Sequence, residues 1–303
     1  METQILVPLD GSRLAEQALR CAMTLAQGLP AEVVLFRAVS IPSDVQEALD
    51  RAGLNPGPLI EHLEAEADDY LTAIARFVQK TGLSVCHVVQ GGLAADAIVD
   101  YVDHMDVPLI VMASHGYTGI KRWTHGSVAE RVLQSASVPV LLVRAKEGVS
   151  KRIPAEEMPC RRILVPLDGS KLAEQVLPAV TPIAKALGCE LTLFQVPIVH
   201  APGSLMGEWY LPVQASFETA DQHTRAYLSH QANRLREQGI RVSTVVGVSP
   251  VAESIINYAA ANGVDLIAMC THGRTGLARW TLGSVADRVL RAGDTPILLV
   301  RAR

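Results

Sequence analysis

The chain has 303 residues, 49% of them apolar and only 4% aromatic, and a formal charge of −4 at pH 7. This length is typical of two domains, because a single core rarely grows beyond about 250 to 300 residues. A small negative charge with no run of basic residues gives no electrostatic footprint for nucleic acid or anionic lipid, so neither is expected as a partner.

The cysteines and the N-terminus indicate the cellular compartment. The cysteines are unclustered, with no CxxC pair and no metal-ligand spacing, and we interpret them as core thiols of a reducing compartment. They are Cys21, Cys86, Cys160, Cys189 and Cys270. The N-terminus lacks a basic stretch followed by an apolar one, and no apolar run approaches the ~20 residues that span a bilayer. We therefore expect a cytoplasmic protein with no membrane partner and no metal site.

Two long segments of the chain are near copies of each other. ILVPLDGSRLAEQAL starts at Ile5 and returns as ILVPLDGSKLAEQVL at Ile163, and the closing segments VPVLLVR and TPILLVR match in the same way. A repeat of this length indicates a duplicated domain. We predict one domain at residues 1–145, a linker at 146–160 and a second domain at 161–303.

Strand and helix patterns alternate along each repeat. The first repeat has predicted strands at 5–9, 32–39, 84–90, 108–113 and 138–143. Its predicted helices run from a cap at Ser12 to about Gln27, and over about 58–80, 94–103 and 127–135. The second repeat has predicted strands at 162–167, 190–196, 241–247, 265–270 and 296–300. This alternation predicts two α/β domains, each a doubly wound, Rossmann-like parallel sheet of five strands in the order 3-2-1-4-5.

Two segments of each repeat compete for the place where such a sheet binds ligands, at the carboxyl ends of the strands. One is the turn after the first strand, with Asp10 or Asp168 as its carboxylate. The other follows the fourth strand, where a small-x-x-Gly step, nine residues and a Gly-Ser pair lead into the next helix. Glycines that end at a helix N-terminus leave backbone N–H groups and a positive dipole end facing one spot, which suits a phosphate.

A ligand-free interpretation explains part of the same pattern. Ser127 and Ser284 each precede an acid by three residues, as in a helix-capping box. The DGS triplets at Asp10 and Asp168 are also ordinary turn chemistry. The glycines at the switch point still favour a phosphate.

The sequence also carries little that indicates catalysis. His115 and His272 recur in register, and a structural hydrogen bond is their simpler interpretation. Lys121, Arg122 and Arg279 either meet phosphates or are solvated charges, and solvation is the default. No Walker motif, GxGxxG fingerprint or nucleophile triad appears, so we expect a binding protein and no enzyme.

The Gly-Ser spacing, the leading ILVPLDGS and the closing PVLLV resemble the universal stress protein family, specifically its tandem two-domain members. The resemblance covers nearly the whole chain twice and implies an adenine nucleotide alpha hydrolase-like fold. The family contains both ATP-binding members and members that bind no nucleotide. In the second repeat, which is the closer match, the resemblance to the ATP-binding branch implies contacts from Pro166, Asp168, Val196, Met269, Cys270, Gly273, Gly283, Ser284 and Val285. In the first repeat it implies contacts from Pro8, Asp10, Val39, Met112, Ala113, Gly116, Gly126, Ser127 and Val128.

The resemblance implies that different groups of these residues contact the ribose, the base and the phosphates. The prolines and aspartates approach ribose and adenine, Val39 and Val196 read the adenine edge through their backbone, and the methionines line the base pocket. The glycines, serines and the amides of Val128 and Val285 hold the phosphates. Ala113 and Cys270, both small, replace the first glycine of the family pattern, and a Cβ there either crowds the ribose or requires a different backbone angle; His125 replaces an apolar residue.

The resemblance implies a stress-response protein that binds ATP, ADP or AMP, with Mg²⁺ carried by the nucleotide, and changes its contacts with an unknown protein partner according to occupancy. The departures at Ala113, Cys270 and His125 keep open a nucleotide-independent interaction scaffold of the same fold. A slow ATPase, resting on the two recurring histidines, is the weakest alternative.

The terminal strands of the repeats are continuously apolar, and an uncovered edge of that kind invites aggregation. We expect VPVLLV and PILLV to pair as an intramolecular pseudo-dimer, which leaves duplicated surfaces for a homodimer. The loops at 40–58 and 197–212 differ between the repeats, so we expect any unit-specific partner to bind there.

Overall fold

The structure is a computed structural model that describes residues 3–115, 127–145, 160–197, 210–271 and 282–302. The chain divides into two compact units, which we call unit 1, Met1–Pro159, and unit 2, Cys160–Arg303. Each unit is a parallel sheet with connecting helices, so the predicted α/β fold class is confirmed. Within the described residues, no helix is both long enough and apolar enough to cross a membrane.

Unit 1 follows the predicted alternation. Its strands are β1 (Thr3–Pro8), β2 (Ala31–Val39), β3 (Val85–Gly91), β4 (Leu109–His115) and β5 (Val140–Ala145). Its helices are α1 (Arg13–Gly28), α2 (Ser43–Ala52), α3 (Gly57–Gln79), α4 (Ala94–Met105) and α5 (Ser127–Ser135). The strand order is β3-β2-β1-β4-β5, with every pairing parallel, as predicted.

Unit 2 repeats this arrangement. Its strands are β6 (Arg162–Pro166), β7 (Glu190–Gln195), β8 (Arg241–Val246), β9 (Leu266–Cys270) and β10 (Ile297–Val300). Its helices are α6 (Lys171–Glu174), α7 (Val176–Leu187), α8 (Tyr210–Arg236), α9 (Val251–Ala261) and α10 (Ser284–Ala292). The order β8-β7-β6-β9-β10 matches that of unit 1.

The first strand of each unit forms the middle of its core. Ile5, Leu6 and Val7 are at most 1% exposed, and the matching residues of β6 are fully buried. A strand covered by helices on both faces has no polar face, which explains why these segments read as continuous apolar runs. Burying one such side chain stabilises the fold by about 1.5–3 kcal/mol.

Helix α2 is a correction to the sequence analysis, which treated residues 40–58 as a loop. The helix begins after Pro42, has Asp44 in its first turn and ends at Gly53, whose φ of 63° is left-handed. None of its residues is buried. Its apolar residues Val45, Ala48, Leu49 and Ala52 have the spacing of one helix face, although that face is not buried.

The first helix of unit 2 is interrupted where that of unit 1 is continuous. Helix α6 ends at Glu174, α7 starts at Val176, and the N–H of Gln175 bonds the carbonyl of Leu172 in a tighter turn. Pro178 has no N–H to donate to the Glu174 carbonyl, so the regular ladder breaks there. Unit 1 has Arg20 at the equivalent position, and α1 runs without a break.

Candidate functional site

The central strands of each unit separate at their carboxyl ends. β1 pairs with β2 at six positions but with β4 only at Ile5↔Leu109 and Leu6↔Ile110. β6 likewise pairs with β9 only at Ile163↔Leu266 and Leu164↔Ile267. The strand order reverses at this point, so each unit has the crevice in which open α/β sheets bind ligands.

The turn after the first strand fixes an aspartate at the crevice. Oδ1 of Asp10 accepts the Ser12 N–H at 2.8 Å, and Oδ1 of Asp168 accepts the Ser170 N–H at 2.9 Å. The intervening Gly11 has a φ of 88°, a left-handed conformation that favours glycine. The turn therefore engages one oxygen of each carboxylate in a hydrogen bond and orients the carboxylate at the edge of the sheet.

The serines of the two DGS triplets are helix caps. Oγ of Ser12 accepts the Ala15 N–H and Oγ of Ser170 accepts the Ala173 N–H, both at 3.1 Å. This confirms the predicted cap at Ser12. The first-turn amides of α1 and α6 are thus partly satisfied by the protein itself.

Helix α10 begins differently, with Gly283 as its N-cap residue and no side-chain cap. The Asp287 N–H bonds the Gly283 carbonyl at 2.9 Å, which makes Ser284 the first helical residue. Asp287 instead receives the Arg291 Nε at 2.8 Å. The capping box considered for Ser284 and Asp287 is therefore wrong, because Ser284 lies one position too far into the helix to be its cap.

The amides at the start of α10 divide into two groups. The Gly283 N–H donates to the Thr271 carbonyl at 2.7 Å, so this amide, expected to face phosphate, is already engaged. The amides of Ser284 and Val285 are the first two of the helix and have no intrahelical acceptor. The positive end of this helix, with amides that have no acceptor within the helix, therefore lies beside the end of β9.

Several sequence-predicted positions lie outside the described residues: Gly116, Gly126, Gly273, His272, Lys121, Arg122, His125 and Arg279. The backbone of Ser127 begins α5, and Val128 is half-buried in its first turn.

The position of Cys270 revises the expected clash with ribose. Its side chain is 6% exposed, and Sγ lies 3.6 Å from the Ala173 carbonyl oxygen of α6. Burial raises the pKa of the thiol to about 12, so it is neutral at physiological pH. The Cys270 side chain is therefore directed at α6, the helix that covers β9. Its counterpart in unit 1, Ala113, is smaller and half-buried.

The residues expected at the base pocket are buried. Met112 and Met269 are 6% and 7% exposed, and Val39 and Val196 are 9% and 7% exposed. Pro8 and Pro166 end their strands in half-buried positions.

Val39 and Val196 are not equivalent in the two units. Leu9 N–H bonds the Phe36 carbonyl and Leu167 N–H bonds the Phe194 carbonyl, both at 2.8 Å, which aligns the two phenylalanines. Counting on from them, Val196 matches Ala38, and Val39 matches Pro197.

Pro197 also shortens the neighbouring ladder. The β2–β3 pairing runs to Val39↔Gly91, whereas the β7–β8 pairing ends at Gln195↔Val246. Proline has no N–H with which to extend a ladder. A ligand that hydrogen-bonds to the backbone here would find an N–H group at Val39 of unit 1 and none at Pro197 of unit 2.

Sequence analysis missed a buried polar cluster beside the crevice. Glu16 of α1 is fully buried and accepts the Tyr70 hydroxyl at 3.2 Å, and the guanidinium of Arg37 lies 5.2 Å from the Tyr70 ring centroid. Burial, and then Glu16, raise the pKa of Tyr70 far above its usual range. A Cβ added to Gly11 would lie 3.5 Å from Arg37 Nη1, so the guanidinium reaches the Asp10 turn.

Unit 2 keeps the glutamate and the tyrosine but changes their surroundings. Oε1 of Glu174 accepts the Tyr227 hydroxyl at 3.2 Å and Gln231 Nε2 at 3.1 Å, and Lys171 Nζ lies 3.0 Å from Oε2. Gln195 occupies the position of Arg37, and its Oε1 is buried without a hydrogen-bond partner in the described part of the chain. The available sequence signal was an identical Glu and an identical Tyr in both copies.

Comparisons with known proteins agree with the duplication. A model of the universal stress protein family matches residues 1–144 and 159–301. Universal stress protein YxiE of Bacillus subtilis is 30% identical over 145 residues, which cover 46% of this chain and 98% of that protein. Universal stress protein Slr1230 of Synechocystis is 23% identical over 319 residues, covering 98% and 99% of the two chains. A solved universal stress protein from Archaeoglobus fulgidus has a TM-score of 0.71 at 20% identity over 98% of each chain, which shows a common fold.

Proposed function

Because the chain belongs to the universal stress protein family, we propose that it is a cytoplasmic stress-response protein that binds adenine nucleotide at the crevice of each unit. Binding of ATP, or of ADP or AMP, would alter its contacts with a protein partner. Mg²⁺ would arrive with the nucleotide; among the described residues, no group of three or more His, Cys, Asp or Glu side chains is placed to hold a metal ion.

The start of α10 is the observation that carries this proposal. The helix has no side-chain cap, and its first amides lie beside the end of β9, next to the crevice. Amides without an acceptor in the helix and the helix dipole favour a phosphate there, by hydrogen bonding and by electrostatics together. Asp168, held at the first turn by the Ser170 N–H, would lie at the ribose on the other side of the crevice.

The proposed activity is binding without catalysis. The nucleotide would be held by backbone amides, which do not act as general acids or bases at neutral pH, and by Asp168, which would lie at the ribose and away from the phosphates. A slow ATPase would rest on His115 and His272, whose side chains lie outside the described residues.

The nucleotide-independent scaffold remains the second candidate. It is favoured by the engaged Gly283 amide, which leaves fewer donors for a phosphate, and by Pro197, which removes a backbone donor from the base side of unit 2.

The deciding experiment counts nucleotide in freshly purified protein. The protein is denatured, and the released small molecules are identified by mass spectrometry and quantified per chain. Two adenine nucleotides per chain support binding in both units, and one indicates unequal units. No nucleotide, together with no calorimetric binding of ATP and Mg²⁺ to the intact chain, refutes the proposal in favour of the scaffold.

A further inference from the structure

The two thiols nearest each other in the described residues lie away from the crevice, at the start of unit 2. Sγ of Cys160 and Sγ of Cys189 are 3.4 Å apart, and the Cys189 thiol also donates to the Cys160 carbonyl at 2.8 Å. Both residues are buried, at 8% and 2% exposure, and neither is in a disulfide. Spacing along the chain does not predict this pair, because 28 residues separate the two cysteines and no CxxC motif is present.

The backbone holds the two cysteines together. Cys160 stands just before β6 and Cys189 just before β7, and these strands pair in parallel from Arg162↔Glu190 onward. The Glu190 N–H bonds the Arg161 carbonyl at 2.8 Å, directly beside both thiols. A disulfide requires the sulfurs to approach to about 2.0 Å, so a further movement of roughly 1.4 Å, within reach of side-chain rotation, would close the bond.

The other thiols are poorly suited to oxidation. Burial raises the pKa of Cys21 to about 12, of Cys270 to about 12 and of Cys86 to about 11. The thiolate is the nucleophile toward peroxide, so these groups react slowly. The Cys160 thiol, by contrast, lowers the pKa of Cys189 through a hydrogen bond.

We propose that Cys160 and Cys189 form a reversible disulfide when the protein meets a peroxide, which makes this corner of unit 2 a redox modification site. The thiolate of Cys189 attacks one peroxide oxygen, the O–O bond breaks, and a sulfenic acid forms; the departing hydroxide takes up the proton that Cys189 released and becomes water. The Cys160 sulfur then attacks the sulfenic sulfur, the S–O bond breaks, and hydroxide leaves with the Cys160 proton as a second water. Two electrons pass from the two thiols to hydrogen peroxide, and a dithiol reductant returns them.

The site belongs to unit 2 alone. The equivalent positions of unit 1 are Glu2 and Ala31, which cannot form the bond. The disulfide would fasten the start of β6 to the turn before β7, at the amino ends of the strands. The nucleotide crevice is at their carboxyl ends, so the two proposals can fail independently.

The test uses the full chain, reduced and then treated with hydrogen peroxide. Free thiols are alkylated under denaturing conditions, and the protein is digested without reductant for mass spectrometry. We expect a peptide pair joined through Cys160 and Cys189, lighter by two hydrogens than its separate parts. Reactive thiols should fall by two from the five in the sequence and return on treatment with dithiothreitol.

Matched variants decide the assignment. Cys160→Ser and Cys189→Ser should each abolish the linked pair, and Cys86→Ser should leave it intact. Should a serine variant fail to fold, the linkage map of the unaltered chain decides alone. The proposal is overturned if both cysteines remain alkylated after peroxide, if each oxidises singly to a sulfinic acid, or if the only linkage joins two chains.

Discussion

The backbone N–H of Gly283 donates to the carbonyl oxygen of Thr271 at 2.7 Å. The chain that leaves β9 therefore returns to the same strand end before α10 starts. This bond fixes Gly283 as the N-cap and moves Ser284 into the helix, which leaves α10 without a side-chain cap. The bond made by the Gly283 amide thus determines that the amides at the start of α10 are the ones that can bind a ligand.

Replacing Gly283 by aspartate should separate stability from nucleotide binding. Gly283 has φ −59° and ψ 146°, which any residue adopts, so an aspartate can cap α10 and stabilise it by a few tenths of a kcal/mol. Its charge would occupy the expected phosphate position, and we predict at least a tenfold loss of ATP affinity in unit 2.

Calorimetric titration and urea unfolding measure the two effects of Gly283→Asp. Gly283→Asn is the matched control, because it caps the helix without a charge and should weaken binding less. Equal losses in both variants would mean that the cap alone competes with the ligand. Unchanged ATP affinity in Gly283→Asp would show that the phosphate does not bind at this helix end.

Arg37 should contribute to the affinity of unit 1. Its guanidinium lies at the Asp10 turn, on the ribose side of the crevice, and its positive charge would favour an anionic nucleotide, so Arg37→Gln should weaken binding about three- to tenfold. The measurement is a titration in a chain that also carries Gly283→Asp, so that unit 1 dominates the signal. Arg37→Lys, which keeps the charge, should retain most of the affinity. If Arg37→Gln binds as the parent does, the guanidinium only supports Tyr70.

The tyrosine–glutamate bonds should differ in their contribution to stability. Tyr70→Phe removes a donor from Glu16, which is fully buried, and should lower the free energy of unfolding by about 1–3 kcal/mol. Tyr227→Phe should cost less, because the Glu174 side chain is 13% exposed and water can replace part of the lost bond. Urea unfolding of both variants gives the comparison. A larger loss for Tyr227→Phe would contradict the ranking by burial.

Stability should fall at high pH through the buried thiols. The folded-state pKa of Cys21 is raised to about 12 from an unfolded value near 9. A raised pKa means that the folded state holds its proton more tightly, so this contribution is complete below pH 9 and is lost as pH rises from 9 toward 12. We predict that the free energy of unfolding declines over this range, and that Cys21→Ala makes the decline less steep.

Chemical labelling provides a second measurement of the same thiols. At pH 8 a thiol with a pKa near 12 is ionised in roughly one molecule in ten thousand, so native Cys21 and Cys270 should resist iodoacetamide until the protein unfolds. Rapid labelling of either residue in the folded protein would contradict its burial.

The fold was predictable because it follows from local signals. Buried strands such as β1 and β6 are short apolar runs, and the DGS triplets mark the start of the first helix in each copy. Because the domain is duplicated, each of these patterns occurs twice in the sequence. Helix α2 was not predicted, although Val45, Ala48, Leu49 and Ala52 have helical spacing, because the segment was interpreted as a loop that differs between the two copies.

The site was less predictable because its details depend on contacts between distant segments. The cap assignment at Ser284 failed because the bond from Gly283 to Thr271 shifts the helix start by one residue. Val39 and Val196 are out of step because Phe36 and Phe194, which align in the two units, lie 158 residues apart, whereas the two valines lie 157 apart. The proximity of Cys160 to Cys189 comes from strand register, which spacing along the chain does not report.

The exchange of Arg37 for Gln195 shows what fusing two copies into one chain allows. In an assembly of identical chains, a substitution appears in every subunit, and all sites change together. Here one half carries a guanidinium beside its crevice while the other carries an amide, yet both are always synthesised in a ratio of one to one. One half can therefore diverge under selection while the other preserves the ancestral chemistry.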